Sequence, residues 1–298
     1  MTTDMPISPD LKPRYVEFAG QSLEVIEGGT DRGGVPVVFI HGIVCAAGVW
    51  LPTLPPAIRD GRHWIALGLP GHAAARLDIA RLGGWDKLTP EVWASLIEQA
   101  LQQLVGHRPV SFVGWSTGGF SALAMALFFP ARVHSLLVIS GFTNGHWRGT
   151  IGFSQRLALA RITQPMLVHF FRTLRKHRDY FEVMMHDGLH NPLLPNPPAW
   201  DASIDACFAA WQQFDPAIIA GLFRQIYTYQ LTDRLAQIRC PTLVIGGESD
   251  PYIPGPATAR LAARIPGAEL KLFSEVGHYV MLEQTAAYQE LVTNWVSR

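Results

Sequence analysis

Short β-rich apolar runs alternate with longer stretches of helical periodicity through most of this chain, and that alternation confines it to a mainly parallel sheet covered by helices. Residues 35–40 (VPVVFI) and 64–67 (WIAL) read as buried central strands, the proline of the first standing at its start, where a missing N–H is tolerated. Residues 91–105 carry apolar side chains at helical spacing, 110–113 form a strand, 118–129 a helix stopped by Pro130, and 133–139 a further strand. Ahead of these, residues 15–18 and 23–27 flank Ala19-Gly20-Gln21 closely enough to pair as an antiparallel hairpin.

From about residue 145 to residue 231 the rhythm stops: 151–175, 180–189, 202–214 and 216–229 all read as helical, with a proline-rich loop at 191–198 among them. The strand pattern resumes at 241–246, followed by a helix at 257–264, a strand at 269–273 and a closing helix at 283–296. This divides the chain into an α/β core domain, residues 1–143 and 232–298, and a helical cap, residues 144–231. With 298 residues and 48% apolar content such a chain can bury a large core. Its 24 basic and 24 acidic side chains cancel, which leaves no global field to gather nucleic acid or an anionic membrane. Cys45, Cys207 and Cys240 are widely spaced and odd in number, as expected of reduced thiols in a cytoplasmic protein. No stretch approaches the roughly 18 apolar residues of a spanning helix, so a soluble protein without a membrane span is expected.

Gly114-Trp115-Ser116-Thr117-Gly118 matches G-x-S-x-G, in which a serine sits on a cramped strand-to-helix turn with its hydroxyl above the sheet. The pentapeptide lies where that reading requires, between the apolar run at 111–113 and a small-residue helix opening Gly118-Gly119-Phe120. A serine hydroxyl needs a base, and a histidine titrating near neutrality suits the task. Of eleven histidines, His278 stands out because it comes after the strand at 270–273 and a short turn, on a loop at the strand's C-terminal end. His41, which ends a buried strand, reads as a structural hydrogen-bonding group, and His186 and His190 lack the carboxylate-rich partner that a metal site needs. The base in turn needs an acid to fix its tautomer. Glu248 and Asp250 share one loop after the strand at 242–245, and Asp250 is chosen because it lies further out, with Pro251 and Pro254 stiffening the rest of the loop. Backbone N–H groups of Ile43 and Thr117, after an early strand and after the nucleophile, are the candidate oxyanion donors. Trp115, beside the serine, is the candidate substrate contact.

Taken together, H-G-I-V-C, G-L-P-G-H, G-W-S-T-G-G, G-G-E-S-D-P and V-G-H-Y-V resemble the α/β-hydrolase superfamily in the order Ser, Asp, His, over residues 15–298. The resemblance implies a mostly parallel eight-stranded sheet with a helical cap inserted after strand six, and chemistry that requires neither metal nor organic cofactor. Gly68 stands where members often carry an aspartate, a structural position. The carbon-halogen and epoxide branches place aspartate at the nucleophile, which Ser116 argues against. Within the superfamily the set looks like carboxylesterases related to pimeloyl-acyl-carrier-protein methyl ester esterase. In the cap, Arg148, Arg156, Arg161, Arg172, Arg175, Lys176 and Arg178 face only Asp179 among acids between residues 144 and 180. Such a cap suits either a solvated outer face or the docking of an acidic acyl carrier protein. Phe153, Leu157, Met166, Phe170 and Phe171 are expected mostly in packing between cap helices rather than around an acyl chain. The reaction expected is hydrolysis of a carboxylic ester, thioester or lactone, a small-molecule or carrier-linked acyl substrate. Carbon-carbon hydrolysis of a vinylogous diketone by the same residues, and a non-catalytic ligand-binding module, are the alternatives.

Overall fold

The computed structural model describes residues 11–298. Eight strands, β1 (Arg14–Phe18), β2 (Gln21–Gly28), β3 (Val37–Ile40), β4 (Trp64–Leu67), β5 (Val110–Trp115), β6 (Val133–Ile139), β7 (Thr242–Gly247) and β8 (Glu269–Phe273), form one sheet in the order β1-β2-β4-β3-β5-β6-β7-β8. β2 runs antiparallel to both β1 and β4, and every other pairing is parallel. The expected hairpin is the β1–β2 pair. Every residue of β3, β4, β5 and β7 is buried, which requires cover on both faces of the sheet. Phe39, Val113, Leu137 and Leu243 lie side by side in register across the centre of that core.

Cover comes from α1 (Pro56–Gly61), α2 (Pro90–Val105), α3 (Thr117–Phe128), a cap of five helices, and then α9 (Gly255–Ala263), α10 (Val280–Glu283) and α11 (Thr285–Val296). The cap, between β6 and β7, comprises α4 (Gly149–Leu159), α5 (Gln164–Leu174), α6 (Arg178–His186), α7 (Trp200–Trp211) and α8 (Pro216–Tyr227). The sequence reading of 151–175 as one helical stretch is corrected here: the chain breaks between α4 and α5, with Ala160 extended and Thr163 Oγ1 donating to the Leu157 carbonyl, 2.7 Å. Pro165 is the cause, since its ring has no N–H and tolerates only the first turn of a helix. The closing helix expected at 283–296 is α11, with the short α10 ahead of it and Gln284 between them. A stretch of 3-10 helix, Ala47–Thr53, comes after the β3 loop and has no clear signature in sequence. Gly68, where members of the family often carry an aspartate, donates its N–H to Glu24 O, 2.8 Å, while the buried Glu24 carboxylate accepts from Ala47 N, 2.9 Å. Among the described residues no helix is long and apolar enough to cross a membrane.

Candidate active site

The parallel strands β3, β5 and β7 and the loop after β8 deliver the expected site residues to one end of the sheet. Ser116 sits between β5 and α3 with φ 56° and ψ −114°, a left-handed backbone that a non-glycine residue adopts only under constraint. The constraint is visible at Gly118: a Cβ there would overlap the Ile40 and His41 carbonyls, so β3 and the start of α3 approach as closely as they do only because position 118 has no side chain. Gly118→Ala is therefore expected to destabilise the fold by about 3 kcal/mol or more, read as a lowered urea midpoint, because the obstacle is backbone and cannot rotate away.

His278 Nδ1 lies 2.7 Å from Asp250 Oδ2, and both residues are buried. Asp250 Oδ1 accepts from the N–H groups of Tyr252, 2.8 Å, and Ile253, 2.9 Å, so its second oxygen is fixed toward the imidazole. Glu248, the other carboxylate of this loop, is exposed and makes no such contact. His278 is gripped through its backbone from two sides: its N–H donates to Gly188 O in the cap, 2.7 Å, and its carbonyl accepts from Trp115 Nε1, 2.9 Å. Trp115 also packs its ring on that of His278, with centroids 5.5 Å apart. Tyr279 Oη donates to Met185 O, 2.9 Å, and Glu283 accepts from both Gly277 N and His190 N, fastening residues 185–190 of the cap to the histidine loop. Gly188 permits this contact, since a Cβ there would run into the Tyr279 ring.

The loop after β3 lies against the serine, and a Cβ at Gly42 would stand 3.1 Å from that of Ser116. Ile43 is the next residue of this loop, and Thr117 opens α3, where the first amides of a helix have no acceptor within it. Two buried histidines hold the loop. Leu69 N donates to His41 Nε2, 3.1 Å, and Val44 N to His72 Nε2, 3.3 Å, while the Nδ1 atoms face the carbonyls of Gly42, 2.7 Å, and Pro70, 3.1 Å. Both rings are thus neutral, with the proton on Nδ1. Burial pushes His41 well below the ordinary imidazole range and His72 down to about 4. In an unfolded chain these rings take up a proton near 6.5, whereas folded His72 resists until about 4. The unfolded state therefore binds more protons across that window. Stability should be level above it and fall as pH drops from about 6.5 toward 4, with a shallower slope in His72→Gln; denaturant midpoints measured against pH check this.

Ser116, His278, Gly42, Ile43 and Trp115 all border one cavity of about 570 Å³ beneath the cap. Its cap side is formed by Phe153, Leu157, Met166, Phe170, Phe171 and Phe223, with others. All five border the cavity, and the expectation that most of them pack between helices is corrected for Phe153, Met166 and Phe170, which are 56%, 67% and 48% exposed, whereas buried Phe171 also packs against Trp211 and Phe223. Among the described residues no arginine or lysine is part of the lining. Arg178 is paired with Asp205, 2.7 Å, and with Glu182 one turn along α6, 2.6 Å, acids that lie past residue 180, while Arg148, Arg156, Arg161, Arg172 and Lys176 are exposed outside the cavity. Among the described residues no cluster of histidine, cysteine, aspartate and glutamate is placed to hold a metal ion.

The family model for the alpha/beta hydrolase fold matches residues 35–285. The chain belongs to the α/β-hydrolase fold family. Among its relatives, the 2-hydroxy-6-oxononadienedioate/2-hydroxy-6-oxononatrienedioate hydrolase of Klebsiella pneumoniae is 26% identical over 296 residues, covering 95% of this chain and 94% of its own. Two solved structures share the fold: an esterase from Rhodococcus (TM-score 0.73, 19% identity, covering 96% of this chain and 98% of its own) and the enol-lactonase from Burkholderia xenovorans (TM-score 0.71, 17% identity, 96% and 100%). This α/β-hydrolase is a hydrolytic enzyme.

Proposed function

We propose that this α/β-hydrolase is a carboxylesterase or lactonase working through an acyl-enzyme, with Ser116 as nucleophile, His278 as general base and Asp250 as the acid that orients it. The observation that carries this reading is the 2.7 Å tie of His278 Nδ1 to Asp250 Oδ2, beside an elbow serine that opens into the same cavity. With Nδ1–H donated to Asp250, the lone pair of Nε2 is free to take the Ser116 proton as Oγ attacks the acyl carbon. The Ile43 and Thr117 amides receive the oxyanion, and His278 returns the proton to the departing alcohol. Water then repeats the sequence: His278 deprotonates it, the acyl carbon is attacked, and Ser116 Oγ leaves with the proton.

Carbon-carbon hydrolysis of a vinylogous diketone is the second reading, favoured by the Klebsiella relative. The substrate in that relative's name is a dicarboxylate, and the lining here offers no arginine or lysine to pair its carboxylates, so the ester reading stands first. Short and medium p-nitrophenyl esters assayed beside a 2-hydroxy-6-oxo-dienoate separate the two. Ester turnover at a kcat/KM at least tenfold above that for the dienoate supports the first reading; dienoate cleavage with no ester turnover overturns it.

A further inference from the structure

The cavity beneath the cap has a mostly apolar lining, in which Asp187 is the one carboxylate among the described residues. Asp187 closes the C-terminal end of α6 and is part of the wall. Its Oδ2 accepts from Thr150 Oγ1, 2.6 Å, and from Tyr252 Oη, 3.1 Å. The two donors come from different places, Thr150 from the first turn of α4 and Tyr252 from the core loop that carries Asp250, so the carboxylate is pinned across the cap–core seam. Tyr252 in turn lays its ring edge-on to His278, centroids 5.0 Å apart, which puts Asp187 one side chain away from the imidazole. The carbonyl end of the α6 dipole adds to the negative potential at the same spot. Nothing in the lining offsets it, because every arginine and lysine of the cap lies outside the cavity.

We propose that Asp187 is a specificity-determining residue that reserves this cavity for uncharged acyl chains and turns away acyl chains ending in a carboxylate. The proposal rests on the ester-hydrolase reading and deepens it by naming the substrate class. A carboxylate brought into the cavity would lose its hydration, find no cation and meet a like charge held in place by two hydroxyl groups. Desolvation alone would penalise any polar chain end, whereas Asp187 penalises charge. A neutral amide of the same length therefore separates the two effects.

Three p-nitrophenyl esters test this: the hexanoate, the monoester of adipic acid, which ends in a carboxylate, and the corresponding adipamate, which ends in an amide. Wild-type enzyme is expected to use the hexanoate best and to show a kcat/KM for the adipate about 30-fold or more below that for the adipamate. Asp187→Asn should narrow the adipate-to-adipamate gap by about tenfold, mainly through KM. Should that variant not fold, the wild-type gap is measured at about 20 mM and about 500 mM NaCl, where screening of the half-buried Asp187 carboxylate shrinks it. Equal use of adipate and adipamate, a gap that Asp187→Asn leaves in place, or a gap insensitive to salt overturns the assignment while ester hydrolysis stands. Failure to turn over even the hexanoate removes the ester reading, and this assignment with it.

Discussion

Ser116→Ala is expected to lower kcat for p-nitrophenyl hexanoate by about 10⁴-fold or more, with the melting temperature nearly unchanged. The substitution removes only Oγ. The Cβ that fits the elbow remains, Phe120 N still donates to the carbonyl of residue 116, 3.0 Å, and residue 116 N to Ile139 O, 2.8 Å, so the strained turn keeps its supports. What is lost is the atom that would bond to the acyl carbon, and the cavity, the His278–Asp250 pair and the candidate oxyanion amides then supply only residual acceleration. A stopped assay together with a thermal melt reads both halves. A fall of less than tenfold at unchanged stability would show that another group, or water alone, attacks the substrate.

Asp250→Asn should lower kcat by about 10²- to 10⁴-fold, and the reason is a tautomer. The Tyr252 and Ile253 amides both donate to Oδ1, so an asparagine must keep its carbonyl oxygen on that side and present its NH₂ group to His278. Two donors cannot face each other across 2.7 Å. The ring would move its proton from Nδ1 to Nε2, the nitrogen that must be free to accept from Ser116. Stability should fall less than activity, since the asparagine retains its two backbone bonds. The pH profile of kcat carries the signature: the base limb of the wild type is expected to weaken or vanish in the variant, whereas a merely structural role for Asp250 would reduce kcat without changing the profile. Glu248 on the same loop is exposed to solvent and cannot take over the buried position beside the imidazole.

The parts of this site that were legible in the sequence are those set by neighbouring residues. The elbow could be read because its strand, turn and helix are contiguous and Gly118 has to be a glycine where β3 meets α3. Asp250 and Glu248 were rivals on one loop, and proline stiffening pointed to the residue that proves buried. His41 was expected to be structural, and its Nε2 accepts the Leu69 amide. The contacts that bind cap to core were not legible, because they join segments distant in the chain. Gly188 showed only as an interruption between two histidines, although its carbonyl holds the His278 amide. Asp187 gains meaning solely from Thr150 and Tyr252. Phe153, Met166 and Phe170 have the same spacing whether they pack between helices or rim an opening, and only the placement of α4 and α5 over Ser116 decides between these. Sheet order has the same character: β4 lies between β2 and β3, an arrangement fixed by long-range packing rather than by any local signal.

The most direct measurement is the intact mass of the protein after exposure to a fluorophosphonate, with peptide mapping of the adduct. One phosphonyl group on the peptide that contains Ser116, formed in the wild type and absent from Ser116→Ala, is the expected result. A wild type that remains unmodified while folded, or an adduct on another residue that persists in Ser116→Ala, would contradict the assignment of Ser116 as the nucleophile.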